Sequence, residues 1–495
     1  MNIKEKKERI NDVMAIYIIN PTDENLKILK NDIEKSVFDN FYINFVEKCD
    51  EKKLQNFFSD MIQTDKYNRI YKIMVHPMGF SLLHPRVFSL NIKNAYSLLN
   101  SPNIKDDDIN LYFEKIGNGL FDMLFTTRTI PIIKYRSGFA DGIINVIQKN
   151  FFQTFEKFPE LKEEFSKKNQ TLLTIVDRDL DLPIMFHHAA SLGSMIHDVF
   201  GITRSKSTGD VFEIDPLIDY VWNTYLGTRF VTAKEKIIED LKNINQQTAF
   251  LDDQNGKSSD LEKISEQIAS TLEDLRDITV KQKCLNNHAK FQEKLTKEID
   301  TRNIGAFFKL EEELLSARTI NIETKKKFYD LLSLKHLNVK DINLHQNDIL
   351  RLAIIYFLIN TSISIDEVKE IENGLKNIGV SLKAFEYFKQ KRSFEDSMKR
   401  GANANNQELS FLQKSVSYLR KYITSEQTSI IADTVNNLAS NKEVKEYVTY
   451  NVLKKAIDKN INSSFNQVIV FVIGGGSLGE LEYLDEFLNQ NDRTV

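Results

Sequence analysis

The sequence predicts a mixed fold, α/β at both ends of the chain with a large α-helical block between them. Three observations carry this expectation. Only 8 prolines and 18 glycines occur in 495 residues, well under the usual ~5% and ~7%, so long helices meet few breakers. Before about residue 235, β-branched apolar runs alternate with helical patterns, as strands and crossover helices of a parallel sheet do. Beyond it the texture is helical until a final strand and helix return near the C-terminus.

The elements follow in order. Val13 to Ile19 is an apolar, β-branched run stopped by Asn20-Pro21, which reads as a buried strand. Asp23 and Glu24 then open a helix carrying Leu26, Leu29 and Ile33, with acids where the N-terminal dipole favours them. Further strands are expected at Ile70 to Val75, Ile130 to Tyr135, Leu172 to Val176 and Val468 to Ile473, separated by helices such as Ile109 to Phe125 and Gly138 to Phe155. Asn243 to Asp260 is polar and reads as an exposed turn or loop. Two apolar stripes follow at helical spacing, Ile264, Ile268, Leu272, Leu275 and Ile278, then Cys284, His288, Phe291, Leu295 and Ile299. They predict two long helices in a protruding hairpin or bundle. Ser364 to Glu367 forms a capping box, and Arg400 to Glu408 reads as a linker.

Composition excludes several classes. The 66 basic and 70 acidic residues give a net charge of −4, without the basic excess of a nucleic-acid binder. Two cysteines, Cys49 and Cys284, cannot build a disulfide framework, so reduced thiols in the cytosol are expected. The N-terminus lacks the apolar core of a signal peptide, and the longest apolar runs fall short of the ~20 residues of a membrane span. At ~150 residues per domain the length suggests about three domains.

Candidate chemistry is sparse. Gly474-Gly-Gly-Ser-Leu-Gly479 lies between a strand and a helix and matches two motifs. As a dinucleotide fingerprint it lacks room for the second strand and the ribose-binding acid. As a nucleophile elbow around Ser477 it lacks a following histidine, since the last one is His345. An α/β serine hydrolase or nucleotide-binding enzyme is therefore the alternative reading, and an architectural glycine turn is favoured. Asp177, Asp179 and Asp181 alternate as cation ligands do, with His187, His188 and His197 nearby. Their spacing fits no zinc pattern, and ion pairing at the strand end is favoured. Cys284 and His288, one helical turn apart, suit two zinc ligands, but their place on an apolar stripe favours core packing.

These same segments carry a family resemblance. Leu172-Leu-Thr-Ile-Val-Asp-Arg-Asp-Leu-Asp-Leu182, followed by His187-His188 and His197-Asp198, resembles the D-R-x-x-D segment of the SM (Sec/Munc-type) proteins, the cytosolic partners of syntaxins in membrane fusion. Val468-Ile-Val-Phe-Val-Ile-Gly-Gly-Gly476 is similar to the family's C-terminal strand and glycine turn. The triple glycine points to the Sly branch, which serves traffic between endoplasmic reticulum and Golgi. So do Asn20-Pro-Thr-Asp-Glu-Asn-Leu26, Phe41-Tyr-Ile-Asn-Phe45, Ile130-Pro-Ile-Ile-Lys-Tyr135 and Gly374-Leu-Lys-Asn-Ile-Gly379 before Tyr387-Phe-Lys-Gln390.

The resemblance implies a three-domain arch: a parallel-sheet α/β domain interrupted by a large helical domain that carries a long helical hairpin. Residues 1–40 would be an incomplete domain 1, residues 41–212 and 455–495 domain 2, and residues 213–454 domain 3, with its hairpin at about 235–300. Compared with the family, the resemblance starts part-way into domain 1 and stops before a last strand and helix. It further implies a monomeric SNARE chaperone without catalysis, cofactor or metal. The partners would be a syntaxin-class SNARE and the assembling SNARE bundle, with membrane association only through SNAREs. Carried over by position, Leu26, Leu29, Tyr42 and Phe45 match a pocket for the syntaxin N-terminal peptide. Ile264, Ile268, Leu272 and Leu275 match the SNARE-templating hairpin, though packing between the hairpin helices is an equal reading. Asp177, Arg178, Asp181, Gly474, Gly475 and Gly476 match structural motifs. A generic helical scaffold is the third class, separable by whether the hairpin selects SNARE helices over other amphipathic helices.

Overall fold

The computed structural model describes residues 8–10, 12–46, 51–64, 68–101, 104–166, 170–201, 214–215, 218–254, 261–317, 319–333, 342–401, 429–457 and 464–489. The chain opens with β1 (Met14–Ile19), α1 (Asp23–Glu34), β2 (Asn40–Phe45), α2 (Glu51–Thr64), β3 (Ile70–Val75), β4 (Ser81–His84) and β5 (Val87–Ser89). Then come α3 (Ala95–Leu99), α4 (Asp106–Thr126), β6 (Ile132–Arg136), α5 (Phe139–Lys157), α6 (Pro159–Ser166) and β7 (Thr171–Asp177). The helical block runs α7 (Leu192–Phe200), α8 (Tyr220–Tyr225), α9 (Phe230–Gln254), α10 (Leu261–Thr301), α11 (Ile304–Ser316) and α12 (Ile322–Leu332). It continues through α13 (Ile342–Ile359), α14 (Ile365–Asn377), α15 (Lys383–Gly401) and α16 (Ile430–Ala439). The chain closes with β8 (Tyr447–Asn451), β9 (Ala456–Ile457), β10 (Gln467–Ile473) and α17 (Leu478–Asn489).

Strand order is β1-β2-β3 in one sheet, β10-β7-β6-β8-β9 in a second, and β4-β5 in a two-stranded ribbon. The pairs β1·β2 and β2·β3 are parallel, as the alternating texture predicts. The pairs β6·β8 and β8·β9 are antiparallel, so the larger sheet is not purely parallel. Strand β8, Tyr-Val-Thr-Tyr-Asn, carries too few aliphatic residues for the apolar-run criterion to detect it.

By compactness the chain divides into two units. One comprises Met1–Leu83, Val87–Leu173 and Glu446–Phe465; the other comprises His84–Arg86, Thr174–Lys445 and Asn466–Val495. In the first, β1 is apolar on both faces, yet only Ala15, Tyr17 and Ile19 are buried. They pack with Leu26, Leu29 and Ile33 of α1 and with Phe41, Ile43 and Phe45 of β2 in one cluster. Thr22 caps α1 by accepting the Asn25 N–H. Asp32 anchors that helix to the sheet by accepting the Tyr17 hydroxyl at 2.7 Å. Helices α4 and α5 approach closely because Gly117 has no side chain: a Cβ there would lie 2.6 Å from Val146 Cβ.

In the second unit, Leu352 to Ile359 of α13 is buried on every side, which explains a run with no helical amphipathicity. Phe328 stacks on Tyr356 with ring centroids 4.0 Å apart. The predicted capping box is present: Glu367 N–H donates to Ser364 Oγ at 3.2 Å, and Ser364 N–H to Glu367 Oε2 at 3.1 Å.

Three expectations are corrected. The polar stretch from Asn243 stays helical through Gln254, because nothing in it breaks a helix; 255–260 lies outside the described residues. The two apolar stripes lie on one 41-residue helix, α10. The six-residue step from Ile278 to Cys284 turns the stripe by about a third of a turn without ending the helix. Its hairpin partner is α9, running antiparallel, since Gln282 bonds Asn245 while Lys234 reaches Thr296. Finally, Arg400 and Gly401 end helix α15, and the rest of the expected linker lies outside the described residues.

Candidate functional site

The D-R-x-x-D segment follows β7 as a 3-10 turn, Arg178–Asp181, with Asp177 closing the strand. Arg178 is 1% exposed. Its Nη1 donates to Glu480 Oε2 at 2.9 Å and to the Gly475 carbonyl at 3.4 Å, while Nη2 donates to the Asp181 carbonyl at 2.5 Å. Asp181 points elsewhere: its Oδ2 accepts the Ile430 N–H at 3.1 Å and the Ser429 hydroxyl at 3.3 Å, at the N-terminus of α16. Burial pushes the Asp181 carboxyl up to about 6, against the pull of Arg178. Asp179 instead receives Lys391 Nζ at 2.7 Å. Asp179 and Asp181 thus go to different partners rather than turning together towards one cation.

Gly474 and Gly475 have φ of +98° and +102°, a region that suits glycine. They turn the chain from β10 into α17. Glu480, in the first turn of that helix, accepts the Ser477 N–H at 2.7 Å through the oxygen that pairs with Arg178. A protein carboxylate therefore already occupies the anion position that a pyrophosphate or oxyanion would require. The turn is built as a joint between Arg178 and α17.

His188 is the centre of a second buried network. Its Nδ1 lies 2.8 Å from Glu311 Oε1, its Nε2 lies 3.1 Å from Asp348 Oδ1, and its backbone N–H donates to Glu311 Oε2 at 2.8 Å. Arg302 donates to both Asp348 oxygens, with Nε to Oδ2 at 3.0 Å. Burial works against the imidazolium, but two facing carboxylates raise its pKa above the ordinary histidine value. Asp348 is buried too, yet bonds from His188 and Arg302 hold it down at about 2. Neighbouring His187 is driven by burial down to about 4. Arg351 donates to the Phe186 and His187 carbonyls and to Asp198, fixing this loop onto α13. His197 sits in the last turn of α7.

Of the residues matched to a peptide pocket, Leu26, Leu29 and Phe45 are 5%, 0% and 0% exposed and belong to the core. They hold α1 on the sheet and cannot themselves touch a ligand. Tyr42 faces the other side of β2, next to Ile16 in register, and its ring lies 4.9 Å from Tyr71. Ile264, Ile268, Leu272 and Leu275 fall on α10, but their side chains lie outside the described residues. Further along the hairpin, Ala233, Ile237 and Ile244 of α9 and Leu285, Phe291 and Leu295 of α10 are buried. Val231 and Ile238, seven residues apart on α9, are 68% and 44% exposed.

Sequence reasoning missed the partners that give these motifs their roles. Glu480 is 302 residues from Arg178, and Glu311 and Asp348 are 123 and 160 from His188. No local spacing announces such pairs. The only signal was a negative one, that each motif lacked the rest of its catalytic set.

No helix among the described residues is long and apolar enough to cross a membrane. Among curated proteins, Protein SLY1 of Saccharomyces cerevisiae is 25% identical over 552 residues, an alignment covering 98% of this chain and 81% of that protein. The SEC1 family transport protein SLY1 of Arabidopsis thaliana is 25% identical over 533 residues, covering 100% and 83%. Among solved structures, Sly1p in complex with an N-terminal peptide of Sed5p superposes with a TM-score of 0.70 at 22% identity, covering 99% of this chain and 81% of that one. The SM protein Vps45 in complex with the Qa SNARE Tlg2 gives 0.65 at 16%, covering 100% and 85%. The Sec1 family model matches residues 1–495. With its strand-to-helix joint and helical hairpin in place along the whole match, the chain belongs to the Sec1 family.

Proposed function

We propose that the chain is a SNARE-binding regulator that promotes SNARE assembly in vesicle docking and fusion, acting without catalysis. The family match along residues 1–495 carries this reading, and relatives solved with a Sed5p peptide and with a Qa SNARE support it. Resemblance to the Sly branch favours endoplasmic reticulum-to-Golgi transport, with recruitment to those membranes through SNAREs. The domain layout of 1–40, 41–212 with 455–495, and 213–454 goes with it.

The antiparallel α9/α10 pair suits helix-on-helix recognition, in which spaced apolar anchors of an amphipathic helix seat on exposed helix faces. Val231 and Ile238 offer two such positions, and Ile264, Ile268, Leu272 and Leu275 of α10 extend the proposed surface. Tyr42, with Tyr71 beside it, is the proposed contact for a syntaxin N-terminal peptide.

The purified chain, titrated with syntaxin-class SNARE cytosolic domains and with an assembled SNARE bundle, should bind at least one of them saturably. Failure to bind any of them refutes the proposal. Ile268→Asp with Leu272→Asp should weaken SNARE binding at least tenfold while the fluorescence of buried Trp222 stays unchanged. A shift in that signal would instead assign the two residues to the hairpin core.

A further inference from the structure

One cluster in the second unit takes no part in the networks above. Asp219 is the N-cap of α8, its Oδ1 accepting the Trp222 N–H at 2.8 Å. Cys284 and His288, one turn apart on α10, both meet it. Cys284 Sγ lies 3.2 Å from Asp219 Oδ1, and His288 Nε2 lies 3.0 Å from each carboxylate oxygen. One donor atom from each residue falls within 4.8 Å of the other two.

Three physical points bear on what this arrangement accepts. A tetrahedral zinc centre with Zn–N and Zn–O of about 2.0 Å and Zn–S of about 2.3 Å has ligand–ligand edges of roughly 3.3–3.5 Å. The two separations from Asp219 need widening by only a few tenths of an ångström to match. The donor set of thiol, imidazole and carboxylate is one that Zn2+ uses in preference to the harder Mg2+ or Ca2+. Charge balances on binding: the Asp219 carboxylate and a Cys284 thiolate would together offset the 2+ charge of the ion. His288 is fully buried and held in place, whereas Asp219 and Cys284 are partly buried, the Asp219 side chain being 11% exposed.

We propose that Asp219, Cys284 and His288 form a three-ligand Zn2+ site, with water as the fourth ligand. On binding, the Cys284 thiol proton passes to solvent, and the Nε2 proton that His288 donates to Asp219 is given up as the imidazole takes its Nδ1–H tautomer, so that the Nε2 lone pair binds the metal; no electron is transferred. The ion would tie the hairpin helix α10 to the N-terminus of α8, so binding stabilises that joint by mass action.

The test is Co2+ titration of the chelator-treated 495-residue chain. The expected result is a thiolate-to-cobalt charge-transfer band that saturates at one ion per chain and disappears on adding Zn2+. Cys284→Ser should abolish the band, while Cys49→Ser, altering the chain's other cysteine, should leave it intact. His288→Gln should weaken cobalt binding at least tenfold. No band, or a band that survives Cys284→Ser, overturns the proposal. If Cys284→Ser fails to fold, as judged by Trp222 fluorescence, Cys49→Ser and His288→Gln decide. Loss of the band in Cys49→Ser, or unchanged affinity in His288→Gln, overturns it.

Discussion

Substituting Glu480 by Gln tests whether the Arg178 joint holds the strand-to-helix turn. The Arg178 side chain is 0% exposed and that of Glu480 5%, with 2.9 Å between them. Removing one partner of a buried ion pair strands the other charge, at a cost of about 3–5 kcal/mol. The lower end applies here, because Arg178 keeps the Asp181 and Gly475 carbonyls and the nearby Asp181 carboxyl is available to ionise. Glu480→Gln should therefore destabilise the chain by about 3 kcal/mol. Arg178→Met should do at least as much, since it strands Glu480 and empties the carbonyl contacts. The double change should cost about 2–3 kcal/mol less than the sum, the coupling expected of a contacting pair. Urea unfolding read by Trp222, the one tryptophan and 1% exposed, measures all three, since it lies in the same compact unit as both residues. Single changes costing under about 1 kcal/mol, or additivity within about 0.5 kcal/mol, would refute the reasoning.

The paired histidines should impose opposite pH slopes. The folded pKa of His188 is raised, so its stabilisation is complete below the unfolded value near 6.5 and is lost as pH climbs through the folded value. For His187, held down at about 4, the folded state loses stability as pH falls from 6.5 towards 4. His188→Gln should flatten the alkaline decline in the urea midpoint and His187→Gln the acid one; identical slopes in both variants would contradict the assigned networks. At the glycine turn, Gly475→Ala should cost about 1–3 kcal/mol through backbone strain alone. A Cβ there meets nothing within 4 Å, but φ is +102°. Gly475→Asn, which tolerates positive φ better, should recover part of the lost urea midpoint, and equal loss in both would point to a packing origin instead.

What was legible in the sequence was local. Strand β3 falls where the apolar run Ile70 to Val75 sits, and β1, β7 and β10 lie within a residue of their expected bounds. The capping box at Ser364 needed only four consecutive residues. Illegible features were those set by partners far along the chain. Strand β8 exists because its backbone pairs with β6, from Arg136↔Tyr447 to Ile132↔Asn451, more than 300 residues away. Leu26, Leu29 and Phe45 read equally well as pocket lining or as core, because an apolar side chain looks the same in either place. Only their burial separates the two. The continuity of α10 was hidden by the six-residue step in its stripe, which imitates a helix boundary without any glycine or proline to make one.

The catalytic look-alikes have a common cause. A helix N-terminus presents unpaired N–H groups and a positive end of its dipole, and this attracts a substrate phosphate or a protein carboxylate by the same physics. At α17 the carboxylate comes from Glu480, in the helix's own first turn, and at α16 it comes from Asp181. Arg178 bridges the two ends, donating to the Glu480 side chain and the Asp181 carbonyl. Arg178, Asp181 and Glu480, which could recruit a substrate in an enzyme, here satisfy other parts of the same chain. The glycines that would admit a pyrophosphate instead permit the turn that brings Glu480 to Arg178. A joint satisfied this way offers a ligand little to bind and resists being pulled apart.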